Sequence, residues 1–162
     1  MRVVAGIEVA APPTAVWRHI TDPKRTASFF SGVTRWELAG EQDAGVGTRY
    51  RMLLKVGSAE IGGLIEVVEW DELRDLAWTS VLGIDQRGRW RLRPRASGRT
   101  HVELRISYGV AGTGLFGWLA EQASAPAMRG NLKRSVLELK RRVEHEQLVE
   151  QAARRRARAH AA

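Results

Sequence analysis

Three glycines in the last third of the chain have the spacing of a dinucleotide-binding loop. Gly112, Gly114 and Gly117 follow the pattern G-x-G-x-x-G in the segment GVAGTGLFGW, after a strand-like run and before a helix-like one. This spacing lets backbone N–H groups at a helix start approach a pyrophosphate. The fold that uses it also needs a parallel strand after the helix, with an acidic residue near its end. The chain instead stays helix-like to its last residue, which favours a tight strand-to-helix turn over a nucleotide site.

Histidines that could bind a metal or transfer a proton are dispersed along the chain. None of His19, His101, His145 and His160 has a ligand-like neighbour in sequence, and the lack of cysteine excludes thiolate metal sites and disulfides. His19 lies beside Trp17 on a predicted short helix and is a candidate for a base at a cavity rim, against the commoner role of a packed or exposed histidine. We therefore expect no metal.

Acidic residues cluster around one predicted hairpin, at positions 66, 69, 71, 72 and 75. Most such clusters are solvated turns. Strand alternation, however, places Glu69 on the same face as Ile65 and Val67, where a carboxylate is costly unless it is paired and would then mark a site. No G-x-S-x-G motif is present to support a hydrolase triad. We expect no cofactor.

Large aromatic residues supply the clearest binding pattern. Those on predicted strands project by alternation to the covered face of the sheet, with two methionines as adaptable neighbours. Such residues either pack a core or line an apolar pocket that offers phenol and indole groups as polar contacts, and we expect both roles. The candidate ligand contacts are Trp36, Tyr50, Met52, Trp78, Trp90, Tyr108 and Met128. The candidates for proton transfer are Tyr50, Tyr108, Glu69 and His19.

Alternating apolar and polar residues predict a sheet-rich domain in which these side chains are positioned. A short helix at Pro13–Ile20 and a helix or turn at Lys24–Phe30 precede the second strand. A long amphipathic helix ends the chain, and Pro126 is expected to separate a short leading helix from it. The predicted strands are Val3–Val9, Val33–Ala39, Thr48–Val56, Ala59–Trp70, Leu73–Leu82, Arg87–Arg95 and Thr100–Val110.

Length and charge indicate one globular domain with a basic end. The chain has 162 residues, 44% of them hydrophobic, and no apolar run long enough to span a membrane. The N-terminus does not resemble a signal peptide, so we expect a cytoplasmic protein. Of the net charge of +8, +5 comes from residues 131–162, with nine Lys and Arg against four Asp and Glu. We predict a domain at 1–147 and a frayed or disordered basic tail at 148–162.

Five phrases spread over the chain carry a family resemblance: IEVAAPPTAVWRHITD (Ile7–Asp22), AGVGTRYRM (Ala44–Met52), EVVEWDELRDLAWTS (Glu66–Ser80), GRWRLRP (Gly88–Pro94) and GRTHVELRISY (Gly98–Tyr108). In this order they resemble the START-like SRPBCC superfamily, and most closely its bacterial polyketide cyclase/dehydrase-type members. The resemblance implies an α+β helix-grip fold, in which a curved seven-stranded antiparallel sheet wraps around a long C-terminal helix, with two short helices between strands 1 and 2. Relatives often have a Trp-x-Pro-like phrase where this chain has Ser28–Gly32, so the resemblance does not imply the identity of the ligand.

The resemblance implies that the protein binds a hydrophobic or amphipathic small molecule, such as a lipid, polyketide or isoprenoid, between sheet and helix. Cyclase/dehydrase-like chemistry on that molecule is left open. One alternative is a non-enzymatic lipid or quinone carrier or sensor, and another is an interaction protein that acts through its basic C-terminal helix. That helix has no interleaved aromatic residues, so we expect no specific nucleic acid partner; weak contact with an anionic surface, and a monomer or homodimer, remain open.

Overall fold

A computed structural model describes residues 2–56, 58–109 and 115–160 of the chain. In that part, the helices are α1 (Pro13–Thr21) and α2 (Pro23–Phe29), which lie between the first two strands, and α3 (Leu115–His160), which follows the last strand. The strands are β1 (Arg2–Val9), β2 (Val33–Leu38), β3 (Arg49–Val56), β4 (Ala59–Asp71), β5 (Asp75–Gly83), β6 (Gln86–Arg95) and β7 (Arg99–Tyr108). The predicted helix-grip architecture is confirmed.

The described strands form one antiparallel sheet in the order β1-β7-β6-β5-β4-β3-β2. Strands β2 to β6 each pair with the next strand along the chain, and β1 pairs with β7 at the other edge. Burial alternates as the sequence predicts: Val102, Leu104 and Ile106 of β7 are buried, whereas Glu103 and Arg105 lie on the wetter outer face. The apolar face of the sheet is therefore the one that the helices cover.

Glycines let β4 approach both of its neighbours closely. A Cβ atom on Gly62 would lie 2.0 Å from the carbonyl oxygen of Met52, and one on Gly63 would lie 1.8 Å from that of Leu82. The pairing of β4 with β5 also shifts register twice, between Leu64 and Ile65 and between Val67 and Glu69. Close approach and bulges both increase the local bend and twist of a strand, so the sheet curves at this point.

The turn between β4 and β5 extends further along the chain than the sequence predicts. We predicted β5 from Leu73, but Leu73 has a φ of 65° and belongs to the turn. The backbone N–H of Arg74 donates to the carbonyl of Asp71 at 2.9 Å, which closes that turn. An apolar residue inside a turn looks like a strand residue to any pattern of alternation, and this is why the predicted boundary was wrong.

The two short helices place aromatic residues over the sheet. Pro13 begins α1, where its missing N–H costs nothing, and Val16, Trp17 and Ile20 are buried as predicted. The Asp22 side chain caps α2 by accepting from the backbone N–H groups of residues 24 and 25. This cap sets the direction of the short helix that ends at the buried Phe29.

Helix α3 is one element from Leu115 to His160. Pro126, which the sequence predicts to interrupt or kink the helix, lies inside it, so the predicted division into two helices is not observed. The helix continues to His160, since Ala, Arg, Gln and Glu are good helix formers, and residues 151–160 are all exposed. The domain boundary at residue 147 and the frayed or disordered tail at 148–162 stay predictions.

Most of the G-x-G-x-x-G pattern lies outside the described residues. Gly112 and Gly114 are outside the described residues, as is Val110 at the predicted end of β7. Gly117 lies in the first turn of α3. In the described part of the chain, no strand follows α3 and none pairs in parallel, which agrees with the absence of a dinucleotide-binding unit.

The contact of Gly88 with Trp78 gives a test of the inner face. A Cβ atom on Gly88 would lie 1.9 Å from Cζ2 of Trp78, so Gly88→Ala must displace the buried indole. We expect this variant to lose about 1–3 kcal/mol of unfolding free energy, as overpacked cores do, measured by urea denaturation. The control is Gly6→Ala in β1, whose Cβ would meet His101 at an ordinary 3.4 Å. Equal losses in the two variants would contradict the predicted contact.

Candidate functional site

Aromatic rings form a connected cluster on the inner face of the sheet. Trp36 is central: it stacks on Phe30 with ring centroids 5.7 Å apart and on Tyr50 at 5.6 Å, and it meets Trp78 edge-on at 5.9 Å. Phe30 also contacts Trp90 at 6.1 Å. All five side chains are at most 8% exposed. The cluster joins the end of α2 to the middle of the sheet.

A cavity of about 20 Å³ lies beside this cluster, between the sheet and α3. Its volume is close to that of a single water, whereas sites for drug-sized ligands enclose roughly 300 Å³ or more. The aromatic cluster therefore fills most of the space that the fold leaves between sheet and helix. The wall includes Phe30, Trp36, Met52, Trp78, Gln86, Ile106, Met128 and Leu132.

The structure brings four of the seven candidate ligand contacts to this cavity, namely Trp36, Met52, Trp78 and Met128. Tyr50 and Trp90 lie one ring behind the wall, against Trp36 and Phe30 respectively. Tyr108 lines a different pocket, of about 420 Å³, on the surface near Asp85. Whether any of these residues contacts a ligand stays a prediction.

The sequence candidates did not include eight of the twelve wall residues, among them Phe30 and Gln86. Phe30 follows α2 in the Ser28–Gly32 segment, where the chain departs from the family phrase, so the resemblance did not give Phe30 a role. Gln86 begins β6 and lies on the same face as Gly88 and Trp90, directly opposite Tyr108 of β7. Extending the alternation of β6 backward by one more inward position would have found Gln86.

Glu69 does not point toward the cavity, and its predicted orientation is wrong. The register shift between Val67 and Glu69 places an extra residue, Val68, in β4. Val67 therefore pairs with the inward Trp78, but Glu69 pairs with Ala77 and lies on the outer face. There its carboxylate forms an ion pair with Arg89. A bulge of one residue reverses the side of every later side chain, which alternation cannot detect.

His19 is buried at the junction of α1, α2 and α3, away from the cavity wall. Its Nδ1 lies 3.0 Å from the carbonyl of Ala15, and its Nε2 lies 3.1 Å from Oε2 of Glu146 and 3.3 Å from Nη1 of Arg25. Arg25 also donates to Glu146 at 2.6 Å. Burial lowers the pKa of His19 below its ordinary value of 6.5, despite the nearby Glu146. This group thus connects the three helices.

Tyr50 is a candidate proton donor that lies against the cavity wall. Burial raises the pKa of Tyr50 to about 12, so its phenol stays protonated at neutral pH. Such a group can donate a hydrogen bond or a proton, but it cannot act as a base near neutrality. Its ring stacks directly on Trp36 of the wall.

Metal-binding and membrane-spanning features are both missing from the described ranges. There, no group of three or more His, Asp and Glu side chains is arranged to hold a metal ion. No helix in the same ranges is long and apolar enough to cross a membrane.

Comparison with known proteins places this geometry in a family. The model of the family described as polyketide cyclase / dehydrase and lipid transport matches residues 1–144. No curated protein matches the chain.

Solved structures with this fold cover nearly the whole chain. The protein TTHA0849 from Thermus thermophilus is 25% identical with a TM-score of 0.76, over 88% of this chain and 97% of that one. A START superfamily protein from Mycobacterium smegmatis is 15% identical with a TM-score of 0.70, over 89% and 97%. The Zhui aromatase/cyclase of Streptomyces sp. R1128 is 20% identical with a TM-score of 0.68, over 88% and 95%.

The buried His19 predicts a loss of stability in mild acid. Folding lowers the pKa of His19 below 6.5, so the unfolded chain takes up the proton more readily than the folded one. The free energy of unfolding is therefore highest above pH 6.5 and falls as the pH drops below that value. Urea denaturation at about pH 7.5 and 5.5 should show this loss in the wild type and much less of it in His19→Gln. Glu146, whose pKa is lowered mainly by its hydrogen bond from Arg25, would contribute only further into acid. The same pH dependence in both proteins would refute the assignment.

Proposed function

The chain belongs to the polyketide cyclase / dehydrase and lipid transport family, and from this we propose that it binds a hydrophobic or amphipathic small molecule between its sheet and α3. The observation that carries the proposal is the small apolar cavity at that position. Its wall combines flexible methionines with aromatic rings, a composition typical of pockets for apolar ligands. A lipid, a polyketide or an isoprenoid has this chemistry.

Ligand entry requires wall side chains to move, and the position of the wall residues indicates which ones. Trp36, Met52 and Trp78 lie on hydrogen-bonded strands, whereas Phe30 follows the end of α2 and Met128 lies on α3. Helix and loop side chains at a junction rearrange more easily than strands in the middle of a sheet. We therefore infer that the pocket expands on its helical side.

Cyclase/dehydrase-like chemistry is a second candidate function, favoured by the family description and by the protonated phenol of Tyr50. In this reaction the pocket would hold a flexible poly-carbonyl chain in a folded pose, and Tyr50 would donate a proton to a carbonyl oxygen. A carrier or sensor would use the same pocket without turnover. The two functions differ in whether any catalysis accompanies binding.

The basic end of α3 supports the remaining alternative. Its exposed last turns carry Arg154, Arg155, Arg156 and Arg158. Contact of this segment with an anionic surface stays a prediction, as do the cytoplasmic location and the monomeric or homodimeric state.

Blocking the pocket should abolish ligand binding. Leu54 is half-buried at the cavity, so Leu54→Trp places an indole over it. We expect the affinity for the neutral fluorophore N-phenyl-1-naphthylamine to fall by about tenfold or more, equivalent to roughly 1.4 kcal/mol. Leu82→Trp is the control, because Leu82 is 71% exposed and outside the cavity. Unchanged affinity in Leu54→Trp, or no fluorophore binding by the wild type together with an empty protein in native mass spectrometry, would contradict the proposal.

The enzymatic candidate is tested by removing one hydroxyl. Tyr50→Phe keeps the ring that stacks on Trp36, so binding of a poly-carbonyl substrate should change little. Loss of a general acid should lower turnover by about a hundredfold or more. Tyr108→Phe makes the same chemical change beside the surface pocket and serves as the control. Full turnover in Tyr50→Phe would exclude Tyr50 as the proton donor, and no turnover in the wild type would favour a carrier.

A further inference from the structure

The indole N–H of Trp78 is a buried donor without a partner among the described residues. Trp78 is only 3% exposed, and its Nε1–H donates to no polar atom of the described part of the chain. A buried donor left unpaired costs about 1–3 kcal/mol, so native proteins rarely keep one without a reason. Trp78 also lines the cavity between sheet and α3.

The indole of Trp78 lies over Gly88, next to the cavity wall. A Cβ on Gly88 would lie 1.9 Å from Cζ2 and 2.1 Å from Cε2 of Trp78, and Cε2 is the ring carbon bonded to Nε1. On the inner face, Gln86 and Trp90 flank Gly88 on β6, and Ile106 lies directly opposite on β7. Trp78, Gln86 and Ile106 all line the cavity.

A second donor lies in the same wall. The side-chain amide of Gln86 donates to Sδ of Met52 at 3.4 Å, and a thioether sulfur is a weak acceptor. The amide group would gain by exchanging this sulfur for an oxygen. Trp78 and Gln86 thus bring two donors, one unpaired and one weakly paired, to a wall whose other polar side chains are Ser31 and Asn131.

From this arrangement we propose that the pocket selects apolar ligands that carry an uncharged acceptor oxygen, a ketone, ester, amide or quinone carbonyl, which accepts from Trp78 Nε1 and the Gln86 amide. A carboxylate fits less well, because no described residue of the cavity wall is ionisable. A pure hydrocarbon leaves the indole N–H unpaired. The proposal rests on the pocket proposed above and adds the chemistry by which that pocket discriminates.

A pair of ligands with the same shape tests the proposal. 2-Acetylnaphthalene and 2-isopropenylnaphthalene differ in one position, where C=O replaces C=CH₂. We expect the full-length protein to bind the ketone about tenfold more tightly, as gaining a partner for a buried donor implies. In ¹⁵N-labelled protein, the indole proton of Trp78 should move downfield with the ketone and not with the hydrocarbon.

Matched variants separate the hydrogen bond from general packing. Trp78→Phe should bind the two ligands equally, whereas Trp36→Phe, which trims another indole of the same wall, should keep the preference. Should Trp78→Phe fail to fold, Gln86→Leu gives the second variant, and it should reduce the preference.

The outcomes distinguish this proposal from the one on which it rests. Equal binding of both ligands by the wild type, with no ketone-specific shift at Trp78, would overturn the carbonyl preference and leave the pocket intact. Binding of neither ligand would overturn both. A preference for the ketone that persists in Trp78→Phe would assign the selectivity to other groups and would also overturn the role of Trp78.

Discussion

The mismatch in width between a broad sheet and the one long helix on its inner face governs this structure. Strands spaced about 4.8 Å apart make a seven-stranded sheet roughly 30 Å wide, whereas a helix with its side chains is about 10–12 Å across. The stripe of α3 formed by Leu132, Val136, Leu139 and Val143 covers only part of that face. The sheet must therefore curve, and large side chains must fill what remains. The glycines of β4, the bulges and the aromatic cluster all follow from this constraint.

Ionic contacts fix α3 at one end of the curved sheet. Glu144 accepts from the backbone N–H of Ala10 at 2.7 Å, and Lys140 donates to the carbonyl of Glu8 at 2.8 Å. Two residues further along the helix, Glu146 pairs with Arg25 and approaches His19. These charged groups lie where β1, α1 and α2 meet the helix. The apolar cavity lies nearer the N-terminal side of the same helix, beside Met128 and Leu132, so anchoring and ligand space occupy different parts of α3.

The sequence predicted most of the fold because the side chains of each strand alternate between solvent and the core. Alternation identified Trp36, Met52 and Trp78 as inward residues, and helical spacing identified Met128. It failed at Glu69, where a bulge reverses the orientation, and at Leu73, where an apolar residue occupies a turn. The pairing of His19 with Glu146 joins residues far apart in the chain, and only the three-dimensional packing creates it. Alternation thus predicts the face of the sheet on which a side chain lies wherever the strand is regular. A bulge changes that face, and contacts between distant parts of the chain decide the partner.

The small free volume determines how the pocket can admit a ligand. Two hydrogen bonds beside the cavity join Ser31 to α3: its backbone N–H donates to Ser135 Oγ at 2.9 Å, and its hydroxyl donates to Asn131 Oδ1 at 3.5 Å. Phe30, which precedes Ser31, is the ring that links α2 to Trp36 and Trp90. Opening the sheet side would break several strand hydrogen bonds at once, whereas moving Phe30 would disturb its ring contacts with Trp36 and Trp90 and the junction after α2. In the proposed binding function, ligand entry is therefore coupled to the contact between α2 and α3, while the strands hold Trp78 and Gln86 at the cavity wall.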